Sequence, residues 1–231
     1  MTIKSKKLSP QCILFSATCD EHIKTVIKDY FSQLDIYPVM SNSMRFKGVK
    51  LLKFTMSEET KPIAIQMIYK HLESCQKLIF TNKKQIAIDL EKQLNEELNV
   101  KAIKLIGGLE IKERDDIIDQ FRKGNIDTLI STNVLARGID VPEVDLVINY
   151  DVPMYENAGY INPDVTNFVH RSGRTGRFGT DGLTLTLVSD GDGFSAIKLD
   201  EIAESLNLEF KNISNVDELF ETYKEMRQGE A

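Results

Sequence analysis

The period of the apolar residues changes several times along this chain, and each change marks an element. Gln11–Ser16 is a short apolar run, and residues 20–31 follow with Ile23, Val26, Ile27 and Tyr30 at helical spacing. Ile36–Val39 predicts another short strand, and Ser41–Gly48 is polar and turn-rich, as a linker is. A regular alternation begins at Val49. Strands are predicted over 49–56, 77–80, 101–105, 127–131, 146–149 and 183–188. Helices are predicted over 58–72, 82–98, 110–123, within 162–172, and near 192–206 and 216–226. Strands alternating with amphipathic helices imply βαβ crossovers, hence an α/β fold with a parallel sheet flanked by helices. The runs Leu78-Ile-Phe80, Thr128-Leu-Ile-Ser131 and Leu146-Val-Ile-Asn149 lack polar alternation, as strands covered on both faces do.

Ligands of open parallel sheets sit at the carboxyl ends of the strands. Phe80-Thr-Asn-Lys83, Leu105-Ile-Gly-Gly108, Ser131-Thr-Asn133 and Asn149-Tyr-Asp151 all fall there. Several open a helix, whose free N–H groups can hold a phosphate.

Composition narrows the classes. With 231 residues, 42% hydrophobic, the chain can bury one good core. No apolar run reaches the ~20 residues of a membrane span, and Met1–Pro10 is lysine-rich without the apolar core of a secretory signal. Cys12, Cys19 and Cys75 form no pair with metal-ligand spacing, and His22, His71 and His170 are scattered, so no metal site is expected. The net charge of −6 is concentrated: Asp190–Ala231 carries a net −7, which leaves the remainder near neutral, so the charge neither excludes a local nucleic-acid surface nor argues for one.

The densest chemistry lies in His170-Arg-Ser-Gly-Arg-Thr-Gly-Arg-Phe-Gly179, with three arginines and three glycines in ten residues. Glycines let backbone approach closely, and arginines present planar donor forks to oxygen anions. Taken alone, it could be a glycine-rich turn with solvated arginines. Ser131-Thr-Asn-Val-Leu-Ala-Arg-Gly-Ile-Asp140 precedes it by about thirty residues. The pair resembles motifs V and VI of the DEAD-box ATP-dependent RNA helicases, which read T-x-x-x-A-R-G-x-D and H-R-x-G-R-x-G-R. Phe15-Ser-Ala-Thr18 is similar to motif III, Leu78-Ile-Phe80 to motif IV, and Arg114 with Phe121-Arg-Lys-Gly124 to the block between. The likeness spans Phe15 to about Leu208, in motif order.

The resemblance implies a RecA-like C-terminal helicase domain over 49–231, a linker over 41–48, and, over 1–40, the tail of the first RecA-like domain. That tail would pack loosely or pair with a second copy in a strand-swapped dimer. Neither a G-x-x-x-x-G-K-[ST] phosphate loop nor a D-E-A-D run occurs in the sequence, so ATP with Mg2+ would be bound mainly by the first domain, and this chain alone would be inactive. Arg174 and Arg177 would be arginine fingers to the γ-phosphate, on the rim formed by the strand tips. Asp140 would contact the ribose, unless it pairs with Arg137 or a motif VI arginine. Gly138 would let backbone approach the nucleotide. His170 and Arg171 would hold motif VI against motifs III and V, where Ser16 and Thr18 lie. Lys84, Gly107, Arg114 and Thr132 would grip RNA phosphates, although Arg114 could instead pair with Glu110 and Lys84 could be an ordinary first-turn lysine.

The chain departs from the family pattern. Ile106-Gly107 stands for His-Gly, Lys83-Lys84 for Thr-Arg, and Ser172 for isoleucine. The sixteen residues Met154–Val169 exceed the usual loop and look similar to the insertion of the mRNA-export helicases. That likeness implies a nuclear-pore activator with inositol hexakisphosphate as partner, and residence in cytoplasm and nucleus, at the cytoplasmic face of the pore. The competing reading is a non-catalytic RNA-binding or regulatory module derived from a helicase half. A DNA helicase is disfavoured by the Ser-Ala-Thr and motif VI wording.

Overall fold

The structure, a computed structural model, describes residues 13, 21–31, 46, 48–72, 75–132, 143–176, 180–191 and 193–228. The chain divides into two compact units, Met1–Pro38 and Val39–Ala231. Helix α1 (Glu21–Phe31) is the one described element of the first unit, close to the predicted span, with Tyr30 exposed at its end. The strands predicted over 11–16 and 36–39, most of the 41–48 linker and any pairing with a second copy lie outside the described residues.

The second unit is built on seven strands: β1 (Val49–Met56), β2 (Lys77–Thr81), β3 (Ala102–Leu105), β4 (Thr128–Thr132), β5 (Leu146–Asn149), β8 (Gly182–Ser189) and β9 (Lys211–Ile213). They are ordered β3-β4-β2-β5-β8-β1-β9, and every pairing is parallel. Helices α2 (Lys61–His71), α3 (Lys84–Leu98), α4 (Ile111–Arg122), α5 (Val165–Ser172), α6 (Phe194–Leu206) and α7 (Val216–Gln228) cover it. Alternate strand residues explain the two-sided cover. Ile79, Ile148 and Leu185 pack with Ile65 and Ile68 of α2, Leu90 and Leu94 of α3 and Leu219 of α7. On the other face Leu78, Phe80 and Val147 meet Phe121 of α4, while Leu51 and Val188 meet Phe168 of α5 and Leu199 of α6. Each such side chain contributes roughly 1.5–3 kcal/mol by leaving water.

Three strands were not predicted. The three-residue β9 pairs with β1 at Leu52–Phe54 and is too short to show a period. A hairpin, β6 (Met154–Asn157) with β7 (Tyr160–Pro163), fills the insertion. Ala158 (φ 51°) and Gly159 (φ 80°) both take left-handed conformations, the requirement of a two-residue turn whose twist suits the strands. The helix predicted within 162–172 therefore begins at Val165, where Asp164 caps it by accepting from the Asn167 amide.

Candidate nucleic-acid interface

The strand tips form as the sequence predicts, and they gather the RNA candidates. Lys84 is the first residue of α3, and its ammonium donates to the Gly107 carbonyl across the tips of β2 and β3 (3.4 Å). Gly108 follows at φ 114° with open space where a side chain would stand. Thr132 ends β4, buried, its hydroxyl without a hydrogen-bond partner. Arg114 is half-buried, and its Nε likewise has no partner. The alternative pairing of Arg114 with Glu110 is not formed. The Glu110 carboxylate instead closes a capping box with Glu113 at the start of α4.

The start of α3 is built differently. Its N-cap is Lys83, which makes no side-chain cap bond, and no acid lies in its first turn. Lysines at a helix N-terminus oppose the macrodipole, which disfavours each by about 0.3–1 kcal/mol. The same open N–H groups and cations suit an anion.

β3, at the sheet edge, is closed by side chains of α3. Asn95 donates to the Ala102 carbonyl and accepts from its amide, and the Glu91 carboxylate takes the Lys104 amide and pairs with its ammonium. The edge is thus unavailable for strand addition. Beside it a cavity of about 390 Å³ is lined by Ile103, Ile106, Leu109 and Ile117.

The arginine segment lies elsewhere than expected. α5 carries it back along the sheet, so that Val144, which precedes β5, donates to the Arg174 carbonyl (3.0 Å), and the Thr175 hydroxyl donates to the Asp145 carbonyl. Gly176 and Gly182 pack so closely that a Cβ on either would clash with backbone or Val49. The backbone of Arg174 is therefore at the entering end of β5 and β8, not on the rim of strand tips. An eight-residue helix is ~12 Å long, about the length of a four-residue strand. Arg137, Gly138 and Asp140 lie outside the described residues, as do Arg177, Ser16 and Thr18. His170 is half-buried in the last turn of α5.

Arg171 points back to the tips. It is fully buried, donating to Asn82 Oδ1 (2.9 Å), the Asp151 carbonyl (3.0 Å) and Asn149 Oδ1 (3.3 Å), over the Phe80 ring. Burial lowers its pKa to about 10, opposed by the charges of Asp151 and Asp164. It stays cationic at neutral pH. Arg171 thus holds α5 to the tips of β2 and β5. The sequence reading expected contacts with motifs III and V, whose key residues lie outside the described set. Asn82 and Asp151 were missed as partners, although both stood in the polar strand-tip triplets that the sequence singled out. Next to Arg171, Ser172 buries a hydroxyl without a partner, where the family's isoleucine would place none, and Thr184 of β8 does the same.

The model of the helicase conserved C-terminal domain matches residues 59–179. The ATP-dependent RNA helicase dbp5 of Aspergillus clavatus is 34% identical over 93% of this chain and 45% of its own length, so the chain spans about half the length of the curated relatives it matches. The S. cerevisiae Dbp5 bound to RNA and ADP BeF3 is 31% identical over 97% of this chain and 58% of that one, with a TM-score of 0.81. The C-terminal domain of the DEAD-box protein Dbp5 is 34% identical, covering 78% of this chain and 98% of that one, with a TM-score of 0.69. Matched structures also hold Dbp5 variants with Gle1 and IP6, and with Nup159. With its parallel sheet, its glycine-lined tips and these relatives, the chain belongs to the helicase conserved C-terminal domain family, among the C-terminal RecA-like domains of DEAD-box RNA helicases.

Proposed function

We propose that this chain is the second half of an RNA-dependent ATPase that opens short RNA duplexes or strips proteins from mRNA. The observation that carries the proposal is the uncapped, lysine-bearing start of α3, joined to Gly107 by Lys84 and flanked by the unpartnered donors of Thr132 and Arg114. Such donors grip successive phosphates without reading bases, and the 2′-hydroxyl would separate RNA from DNA. Arg174 and Arg177 serve as fingers to ATP held by another lobe, which docks where the arginine segment emerges at the strand-entry end. Gly138 and Asp140 face the nucleotide, and His170 steadies the arginine segment.

The arginine side suits a triphosphate: guanidinium and backbone N–H donors are what phosphate oxygens require. Mg2+ would arrive with the phosphate-loop lobe, because the described residues contain no cluster of His, Cys, Asp or Glu fit to hold a metal. Residues 1–40 belong to that first lobe, 41–48 to the linker, and 49–231 to the second lobe. The likeness to Dbp5 and its complexes supports a role in mRNA export at the cytoplasmic face of the nuclear pore, with a Gle1-like activator and inositol hexakisphosphate.

The test is RNA-stimulated ATP hydrolysis by the protein carrying this chain together with a phosphate-loop lobe. Arg174→Ala and Arg177→Ala should each cut turnover by about 10³-fold or more with RNA binding retained, the signature of fingers that act on the transition state. RNA binding with no turnover in the unaltered protein would favour the non-catalytic module.

A further inference from the structure

Arg171 draws together groups from two strand tips, and two of its neighbours have no assigned role. Asn82 engages both ends of its side chain and its amide. Its Oδ1 accepts from Arg171 (2.9 Å), its Nδ2 donates to the Val152 carbonyl (2.8 Å), and its amide donates to Asp151 Oδ2 (2.7 Å). The other Asp151 oxygen faces the ammonium of Lys61 (3.7 Å), a lysine only 2% exposed that also donates to Glu58 (2.6 Å) after β1. Asn82 directly precedes Lys83 and Lys84. Arg171 in turn sets Arg174, whose amide donates to the Arg171 carbonyl (3.1 Å) and whose own carbonyl accepts from Val144.

We infer that Asn82 and Asp151 are positioning residues that transmit RNA contact at the β2–α3 turn to the arginine segment, through the Arg171 guanidinium. The inference rests on the RNA surface proposed above. It adds a physical path from that surface to the fingers. Phosphate binding at Lys83 and Lys84 shifts the turn that holds Asn82. A guanidinium with no exposed surface cannot exchange a lost partner for water, so the arrangement does not relax by degrees. Motion at the turn is passed to α5 and to Arg174. The side chain at 82 accepts from Arg171 on one branch and donates to the Val152 carbonyl on the other, and the first of these bonds carries the link to α5. Aspartate keeps the acceptor for Arg171 but faces the Val152 carbonyl with an oxygen. Alanine removes both bonds.

The test uses the 231-residue chain and a ten-nucleotide oligouridylate. RNA affinity is read by fluorescence anisotropy and amide exchange of residues 173–176 by mass spectrometry, with and without saturating RNA. In the unaltered chain, RNA should slow exchange at 173–176 by about fivefold, the low end of usual coupling between sites. Asn82→Ala should still bind RNA but lose that response, and Asp151→Ala likewise. Asn82→Asp and Asp151→Asn, which keep the acceptors for Arg171 and for the Asn82 amide, should retain most of it. A merely structural role would raise basal exchange in the alanine variants and leave the RNA-dependent difference intact, and that result overturns the inference. So does an unaltered chain that binds RNA without any change at 173–176. Should Asn82→Ala fail to fold, loss of the response in Asn82→Asp with retention in Asp151→Asn would also count against it. Failure of the unaltered chain to bind RNA at all would instead remove the proposed RNA surface, and the inference with it.

Discussion

Helices α3 and α4 both leave the tip side of the sheet, and their first turns are built on opposite principles. α4 begins with Glu110 and Glu113 closing a reciprocal capping box, which satisfies the amides of these two residues and meets the dipole with negative charge. α5 is also sealed, by Asp164. α3 begins with two lysines, no side-chain cap and no acid in its first turn. Folding alone would favour the first design at both places. The second makes sense when an external anion completes the turn, as the proposed RNA surface requires, whereas the first serves stability.

Four substitutions can break or sharpen this contrast. The largest effect should come from the far end of α5. Arg171→Ala leaves Asn82, Asn149 and the Asp151 carbonyl without their donor, and urea unfolding at pH 7 should show a loss on the order of 3 kcal/mol. That loss should be flat from pH 7 to 9. Burial sets Arg171 at about 10 in the folded chain, below its unfolded value, so both states keep the proton over that range. Above it the folded chain releases the proton first, and the contribution of Arg171 to stability rises with pH. Next, Asp164→Ala removes the α5 cap and should cost about 1–2 kcal/mol in the same measurement. Glu110→Ala should cost about 1 kcal/mol and leave RNA affinity unchanged, since α4 is closed to anions already. Lys83→Asp should do the reverse of a usual surface change. It should raise stability by about 0.5 kcal/mol while weakening RNA binding and reducing the salt slope by about 0.7. A chain that gains stability there and binds RNA as before would show that the open turn is not a phosphate site.

The strands were legible because β2, β4 and β5 are buried on both faces, and burial on both faces leaves an apolar run in the sequence. The hairpin was not. Its turn residues, Ala158 and Gly159, lack the Asn-Gly signal, and its strands expose Tyr155, Tyr160 and Ile161 rather than alternating. β8 misleads in another way. Thr184 and Thr186 alternate with leucines as a solvent-facing strand would, yet both are wholly buried, and Asn149 donates to the Thr186 hydroxyl. Lys84, Gly107, Arg114 and Thr132, singled out through the family resemblance, stand at or near strand tips. The residues that hold Arg171 were visible only as polar letters after apolar runs.

Order along the chain was enough to determine the α/β class, the polar and glycine residues at the strand tips and the family wording of the arginine segment, since these depend on local period and on which residue types follow a strand. Which arginine is buried and which end of the sheet receives Arg174 were settled only by packing. Glycine-spaced arginines look alike in a linear sequence. The short α5, lying antiparallel to β5, carries Arg174 to the opposite end of the sheet while Arg171 reaches back among the strand tips, where desolvation makes its three acceptors indispensable.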